Sequence, residues 1–429
     1  MIDFSIDPEF QERLDWARDF VRDEVLPLET LELTEEQWQA ATAPLKQQVR
    51  ERDLWAPHLP PELGGGGWDL IRQGLLYEVI GGSDFAQIVF GNQAPDSGNA
   101  VLLAEGASEA QKERWLAPLL AGEVRSAFSM TEPHTAGSDP TLIASNARIE
   151  GEEWVIDGLK WFTSSGMIAD FYIVMVRTEP EAPPHRAFSM ILVPAGTPGL
   201  EPLREVAAMS DPEGEIRAGH HSHAEVRYSG VRVPLENLIG ERGQGFALAQ
   251  TRLGPARTHR CMEWVAKARR AFEMMCERAV SREAFGSPLS EKQAVQTWVA
   301  DCALEIESSR LMTLYTAWKI QQVGAREARS EIAMIKYQTP RTLFNAVDRA
   351  IQVHGSLGYS CDMPLERMYR DARYGPIVDG PDEVQRRTVA RSILGRYEPA
   401  EVPTEHIPTR RAAAEEKFAS VLGVIGENS

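Results

Sequence analysis

Cysteine is scarce: Cys261, Cys276, Cys302 and Cys361 are the four in 429 residues, and no two form a C-x-x-C pair. That spacing suggests neither a disulfide framework nor a zinc knuckle, and a reducing compartment fits best. Long apolar runs are missing as well. The stretch FYIVMV at 171–176 falls far short of the roughly 20 residues a membrane span requires. There is no basic excess, since 45 Lys and Arg stand against 63 Asp and Glu, a net charge of −18. That balance repels nucleic acid and anionic membrane as bulk partners, although it says nothing about a local basic pocket. Residues 1–36 hold 12 acidic side chains against three arginines, unlike either a signal peptide or an Arg-rich transit peptide. The expectation is a cytoplasmic protein.

What is present is an ordinary globular composition, 43% hydrophobic and 25% charged. At about 150 residues per domain, the length suggests two or three domains. Residues 1–125 read as a helical domain, with helical spacing over Phe10 to Val25, Glu35 to Arg52 and Leu70 to Gly81. The PPELGGGG run at 60–67 is a loop. No strand precedes it, as a nucleotide-binding glycine fingerprint demands.

From 126 to 240 the period changes to that of a β domain. Short Val-, Ile- and aromatic-rich segments lie at Ala147 to Ile149, Trp154 to Ile156, Tyr172 to Val176, Phe188 to Val193 and His223 to Val233, punctuated by EGEE, DG, EAPP and AGTPG. Ala224, Val226 and Tyr228 alternate with His223, Glu225 and Arg227, the signature of a strand with one wet face. From 241 to 396 helical spacing returns. Cys261, Val265, Ala268, Phe272, Met275 and Ala279 form one stripe, and Ile332, Ile335, Thr339, Leu343, Ala346 and Ala350 another. With Trp298, Cys302 and Ile306 between them, three or four antiparallel helices make a bundle. A tail, 397–429, holds a last short helix near 411–422.

Several segments carry possible chemistry. FSMTEPHTAGSD at 128–139 mixes hydroxyls with a flexible glycine, and DGLKWFTSSG at 157–166 passes from a DG turn to paired aromatics and three hydroxyls. Rings beside hydroxyls suit a flat heteroaromatic ligand, though core packing of Trp161 and Phe162 explains them equally. Between Arg257 and Arg282 seven basic residues face three acidic ones, a place to meet a phosphate-bearing ligand or simply a solvated helix face. SREAFG at 281–286 offers a charge and a ring together. IQVHGSLGYS at 351–360 has glycines that permit close backbone approach. The D-G-P-D turn sets Asp379 and Asp382 at a helix end, where an acidic turn is ordinarily only solvated. His220, His221 and His223 lack acidic or cysteine partners at ligand spacing, so no metal site is expected.

Taken in order, TEP-x-x-AGSD, DG-x-K-x-x-x-S, R-x-x-FG, Q-x-x-G-x-x-GY, RDAR and the acidic GPDEVQR segment resemble the acyl-CoA dehydrogenase family over about residues 10–395. The resemblance implies a mainly α fold with a middle β-barrel-like domain and a C-terminal four-helix bundle. It implies FAD as cofactor, an acyl-CoA substrate, an electron-transfer flavoprotein as acceptor, and a homodimer or homotetramer. Carried over by position, Met130 and Thr131 meet the flavin edge, Phe162 its ring, and Ser164 its redox-active nitrogen. Arg282, Phe285, Gln293, Gln352, Gly355 and Ser356 fall where the family touches the pyrophosphate and adenine of a neighbour's FAD, and Pro381 and Glu383 where it contacts cofactor beyond the turn. Ser138 lies where cofactor and CoA ligand are met, and Arg257 where the CoA thioester ligand is met.

The family's base is usually Glu, and Asp379 stands at that position, one methylene shorter, a withdrawal of up to roughly 1.5 Å. Its amide and a ribityl hydroxyl are the implied holders of the thioester oxygen. Burial against flavin and acyl chain must raise so weak a base. Ala256 occupies the alternative base position used by some members and cannot serve. Ser164 replaces the common Thr, Phe162 the common Trp, and the TEPHTAGSD segment is one residue longer than usual, which leaves the contacts of His134 and Thr135 open. The combination most resembles the branch whose larger members carry a kinase-like domain, a hint of long, branched or 4-hydroxylated acyl chains. Two rivals remain, an oxidase of the same fold acting on an acyl-CoA or nitroalkane, and a non-catalytic flavoprotein that binds nucleic acid.

Overall fold

The computed structural model describes residues 5–210, 212, 223–399 and 408–426; His220 and His221 lie outside them. The first helix, Pro8–Phe20, starts where Asp7 accepts the Phe10 amide and Pro8 supplies a fixed φ, and it buries Phe10, Leu14, Ala17 and Phe20. Helix Glu35–Glu51 opens on a reciprocal Thr34/Gln37 capping box, and Leu70–Ile80 on the Asp69 side chain. These helices share one continuous core with the bundle, in which Phe10, Leu76, Ile80, Trp264, Val265 and Leu343 belong to a single cluster. The apolar stripes therefore hold two segments of the chain together.

The middle segment forms strands β1 (Ser126–Ser129), β2 (Asn146–Glu150), β3 (Glu153–Ser164), β4 (Phe171–Arg177), β5 (Phe188–Pro194), β6 (Leu200–Glu205), β7 (His223–Pro234) and β8 (Leu238–Ile239). The sheet runs β6-β7-β3-β1-β4-β5-β8, with β2 pairing β3 and β4. FYIVMV is apolar throughout because β4 is covered on both faces: Phe171, Ile173 and Met175 pack with the helix Asp96–Gly106, and Tyr172, Val174 and Val176 pack in a second core. The expected alternation of β7 holds, with Ala224, Val226 and Tyr228 buried.

Three expectations change. The DG pair at 157–158 is no turn: β3 runs straight through it, and its partners on β7 shift register between Ile156 and Gly158. Gly158 is needed there because a Cβ would sit on the Ser145 side chain. Strands β1, β6 and β8, which lack a strong period, go unmarked in the sequence. In the tail, the anticipated helix is two, Pro408–Lys417 and Ala419–Gly426.

Four long helices complete the fold: Gly245–Ser281, Gln293–Glu327, Arg329–His354 and Asp382–Leu394. Every residue of the third helix's anticipated stripe is buried, as are Cys302 and Ile306 on the second. Gly324 (φ 81°) breaks the second helix just before the chain turns into the third. Among the described helices none is long and apolar enough to cross a membrane.

Candidate active site

Two places gather the residues singled out from the sequence. The first is the seam of β1 and β3. Phe128 pairs with Ser164, and the Trp161 amide donates to the Thr131 carbonyl at 2.8 Å, so the Met130–Thr131 segment lies against Phe162 and Ser164. A second register shift, between Lys160 and Thr163, inserts an extra residue opposite β7. Such a bulge re-aims side chains. Phe162 adopts φ 50° and is 40% exposed, its ring 4.8 Å from that of Trp161. Phe162 is thus an open platform rather than core. The Trp161 indole nitrogen and, at the end of the same segment, the Ser165 hydroxyl are buried without a partner among the described residues. Thr131 and Ser138 are exposed, on the loop that follows β1.

Beneath this seam lies an ion pair that sequence reading passed over. The Lys160 ammonium, fully buried, donates to the Met130 carbonyl and to Glu132, both at 2.9 Å. Glu132 also accepts the amides of Ala144 at 2.8 Å and Ser145 at 2.9 Å. Burial pushes the Lys160 ammonium down to about 8, opposed by Glu132. Burial works against the charge of Glu132 too, but Lys160 and the Ala144 amide hold it below the usual carboxylate range. A Lys between Leu159 and Trp161 in a strand segment, with a Glu in the preceding motif, was the available signal.

The second place is the turn before the last bundle helix. Helix Leu365–Ala372 ends well short of Asp379, and Asp382 opens the helix that follows, so Asp379 lies in the turn between two helices and not at a helix end. Lys336, with no exposed surface, donates to the Gly375 carbonyl at 2.8 Å, and the Asp382 amide donates to Pro376 at 3.0 Å. Asp379 is left in the left-handed region (φ 54°), followed by Gly380 (φ 94°). Its carbonyl accepts from Arg257 Nε and Gln385 Nε2, each at 3.3 Å, while its amide finds no protein acceptor among the described residues. The carboxylate is exposed. The burial anticipated for a base is not supplied by the described residues.

The turn stands in a cationic setting. Burial lowers Arg257 and Lys336, with the Asp379 charge opposing in both cases. Burial also works against Arg260, yet Glu263, Tyr374 and Asp379 hold it above its ordinary value. Asp382 is raised by burial. Glu383 is exposed and Pro381 half-buried at the start of the last helix.

The remaining candidates lie elsewhere. Arg282 is about 37 Å along the first bundle helix from Arg257 at 1.5 Å per residue. The up-down-up course of the first three bundle helices brings Arg282, Phe285, Gln293, Gln352, Gly355 and Ser356 to the opposite end of the bundle from Asp379. Phe285 is wholly exposed in the short hairpin Glu283–Ala284/Ser287–Pro288.

Two half-buried histidines escaped notice in the sequence. His58 Nδ1 lies 3.0 Å from Asn92 Oδ1, and the His259 ring stacks on Tyr77 at 4.8 Å. Burial drives His58 down to about 4 and His259 to about 3. Below the unfolded value of about 6.5 the unfolded chain therefore binds protons that the fold refuses, and stability falls with falling pH by about 1.4 kcal/mol per unit for each histidine until its folded value is reached. Urea unfolding of His259→Gln at about pH 7 and pH 5 should show a pH slope smaller by about one proton, and an unchanged slope would contradict the assignment.

The three-part order of the fold is matched by relatives throughout. Residues 7–123 match the N-terminal, 127–218 the middle and 243–394 the C-terminal domain of acyl-CoA dehydrogenases. The chain belongs to the acyl-CoA dehydrogenase family. It is 43% identical over 357 residues to "Probable acyl-CoA dehydrogenase FadE2" of Mycobacterium tuberculosis, covering 82% of this chain and 85% of that protein. It is 40% identical over 398 residues to acyl-CoA dehydrogenase family member 11 of Rattus norvegicus, covering 90% of this chain but only 50% of the rat protein. A solved structure from Mycobacterium abscessus, assigned to the acyl-CoA dehydrogenases, superposes with a TM-score of 0.85 at 38% identity, covering 92% of this chain and all of that one.

FAD is the cofactor of this family, and the seam fits it. Phe162 offers an exposed aromatic face with the Trp161 ring against it, and the Trp161 indole N–H and Ser165 hydroxyl have no partner among the described residues, which is the kind of donor set a flat ring with polar edges needs. Among the described residues no three His, Cys, Asp or Glu side chains gather to hold a metal.

Proposed function

We infer that this acyl-CoA dehydrogenase introduces a trans double bond between the α and β carbons of an acyl-CoA and passes the electrons to an electron-transfer flavoprotein. The observation that carries the reading is the Asp379 turn: a residue in left-handed backbone whose carbonyl accepts from Arg257 and Gln385, in a turn that Lys336 ties at Gly375, and whose amide has no protein acceptor among the described residues. FAD, when bound, supplies the two-electron acceptor. Asp379 takes the α-proton, and its amide holds the thioester oxygen as negative charge develops there, a donor worth about 3 kcal/mol. Met130, Thr131, Phe162 and Ser164 hold the flavin, with Pro381 and Glu383 beyond the turn. Ser138 and Arg257 meet the CoA ligand, Ser138 also bordering the cofactor. The exposed Phe285, with Arg282, Gln293, Gln352, Gly355 and Ser356, serves a neighbouring subunit's FAD, which makes a homodimer the minimum assembly and a homotetramer its extension. A cytoplasmic setting suits the four free cysteines.

An anaerobic panel of acyl-CoA esters of graded length, branching and hydroxylation tests the reading. At least one ester is expected to bleach the bound flavin, and electron-transfer flavoprotein, not oxygen, to restore its colour. Recolouring by oxygen at an equal rate would point to an oxidase, and bleaching by none would remove acyl-CoA as the substrate.

A further inference from the structure

One hydrogen bond at the flavin seam involves a residue to which the reading above gives no role. His223 begins β7 directly opposite Ser164, and its Nδ1 lies 3.1 Å from the Ser164 hydroxyl. The same imidazole meets the Phe162 ring edge-on at 5.4 Å. Thr163 and Ala224, the adjacent pair, are buried on the other face. Ser164, His223 and Phe162 therefore form one exposed-face group, set there by the bulge between Lys160 and Thr163.

We propose that His223 is a positioning residue that fixes the direction of the Ser164 hydroxyl and thereby tunes the redox equilibrium of the bound flavin. The inference rests on the placement of Ser164 at the flavin given above. A hydroxyl has one proton to give and two lone pairs to offer. If Nδ1 carries a hydrogen, the imidazole donates and the Ser164 proton is directed to the ligand; if Nδ1 is bare, it takes that proton and turns the oxygen lone pairs to the ligand. In either tautomer His223 removes the hydroxyl's freedom to rotate between the two roles. A flavin differs between its oxidised and reduced forms in whether its central nitrogen accepts or donates, so a locked hydroxyl binds the two forms unequally. Phe162, packed against the imidazole, keeps the ring from swinging away.

The test is a double-mutant cycle read on the midpoint potential and absorption spectrum of the FAD-loaded protein. His223→Leu should shift the oxidised-to-reduced equilibrium at least tenfold, about 30 mV for a two-electron couple, and move the flavin absorption band. His223→Asn, whose amide reaches the place of Nδ1, should stay within twofold of the parent. In a Ser164→Ala background His223→Leu should add less than twofold. Should His223→Leu not fold, His223→Gln, which vacates the Nδ1 position while keeping polarity, takes its place. A potential unchanged within twofold in the disrupting variant, or a full shift persisting without the Ser164 hydroxyl, overturns the proposal while leaving the flavoenzyme reading intact. Wild-type protein that binds no FAD overturns both.

Discussion

Asp379→Asn is expected to leave the protein yellow and able to bind acyl-CoA, yet to slow bleaching of the flavin by its best substrate by about 10²- to 10⁴-fold, the usual worth of a positioned base. Asparagine keeps the size of the side chain and the backbone contacts to Arg257 and Gln385 but cannot take a proton. Rapid-mixing absorbance under anaerobic conditions reads the rate directly. Bleaching at the parent rate would dismiss Asp379 as the base. The neighbouring Asp382, at the head of helix Asp382–Leu394, lies 3.9 Å from Arg386 and is partly buried.

Glu132→Leu is expected to cost about 3–5 kcal/mol, because it strands the Lys160 ammonium in a site with no exposed surface. The loss should be visible as a lowered denaturant midpoint of the apoprotein and as weaker retention of FAD, since Lys160 also holds the Met130 carbonyl. Joining it with Lys160→Met should restore most of the stability, because a pair of well-packed apolar side chains avoids the desolvation of both charges. A Glu132→Leu protein as stable as its parent would mean that the pair is not a structural anchor of the loop.

The two predictions differ in how far the sequence leads to them. Asp379 was reachable because a short motif, GPDEVQR, sits at a fixed place in the chain and resembles a family pattern. The Lys160–Glu132 pair was present in the same motifs, but each residue alone looks solvated. Only when β3 folds across the loop after β1 do the two charges lose water together. The DG pair misled for a related reason, since Asp-Gly favours turns locally while the sheet recruits Gly158 for the space it leaves beside Ser145. Strand β1 was invisible because four residues carry too little period to be told from a loop.

Periodicity determined the order of helices, sheet and bundle, for burial of one face leaves a repeat of 3.6 or 2 residues that any reader of the chain can count. Chemical type at motif positions determined the family and, through it, the cofactor. Tertiary structure alone decided what surrounds those residues. It showed that the Asp379 side chain is exposed, that Arg282 and Phe285 stand at the far end of the bundle from it, and that His223 faces Ser164. The physical reason is that exposure and hydrogen-bond partnership arise from segments distant in sequence, where no local pattern records who the neighbour will be.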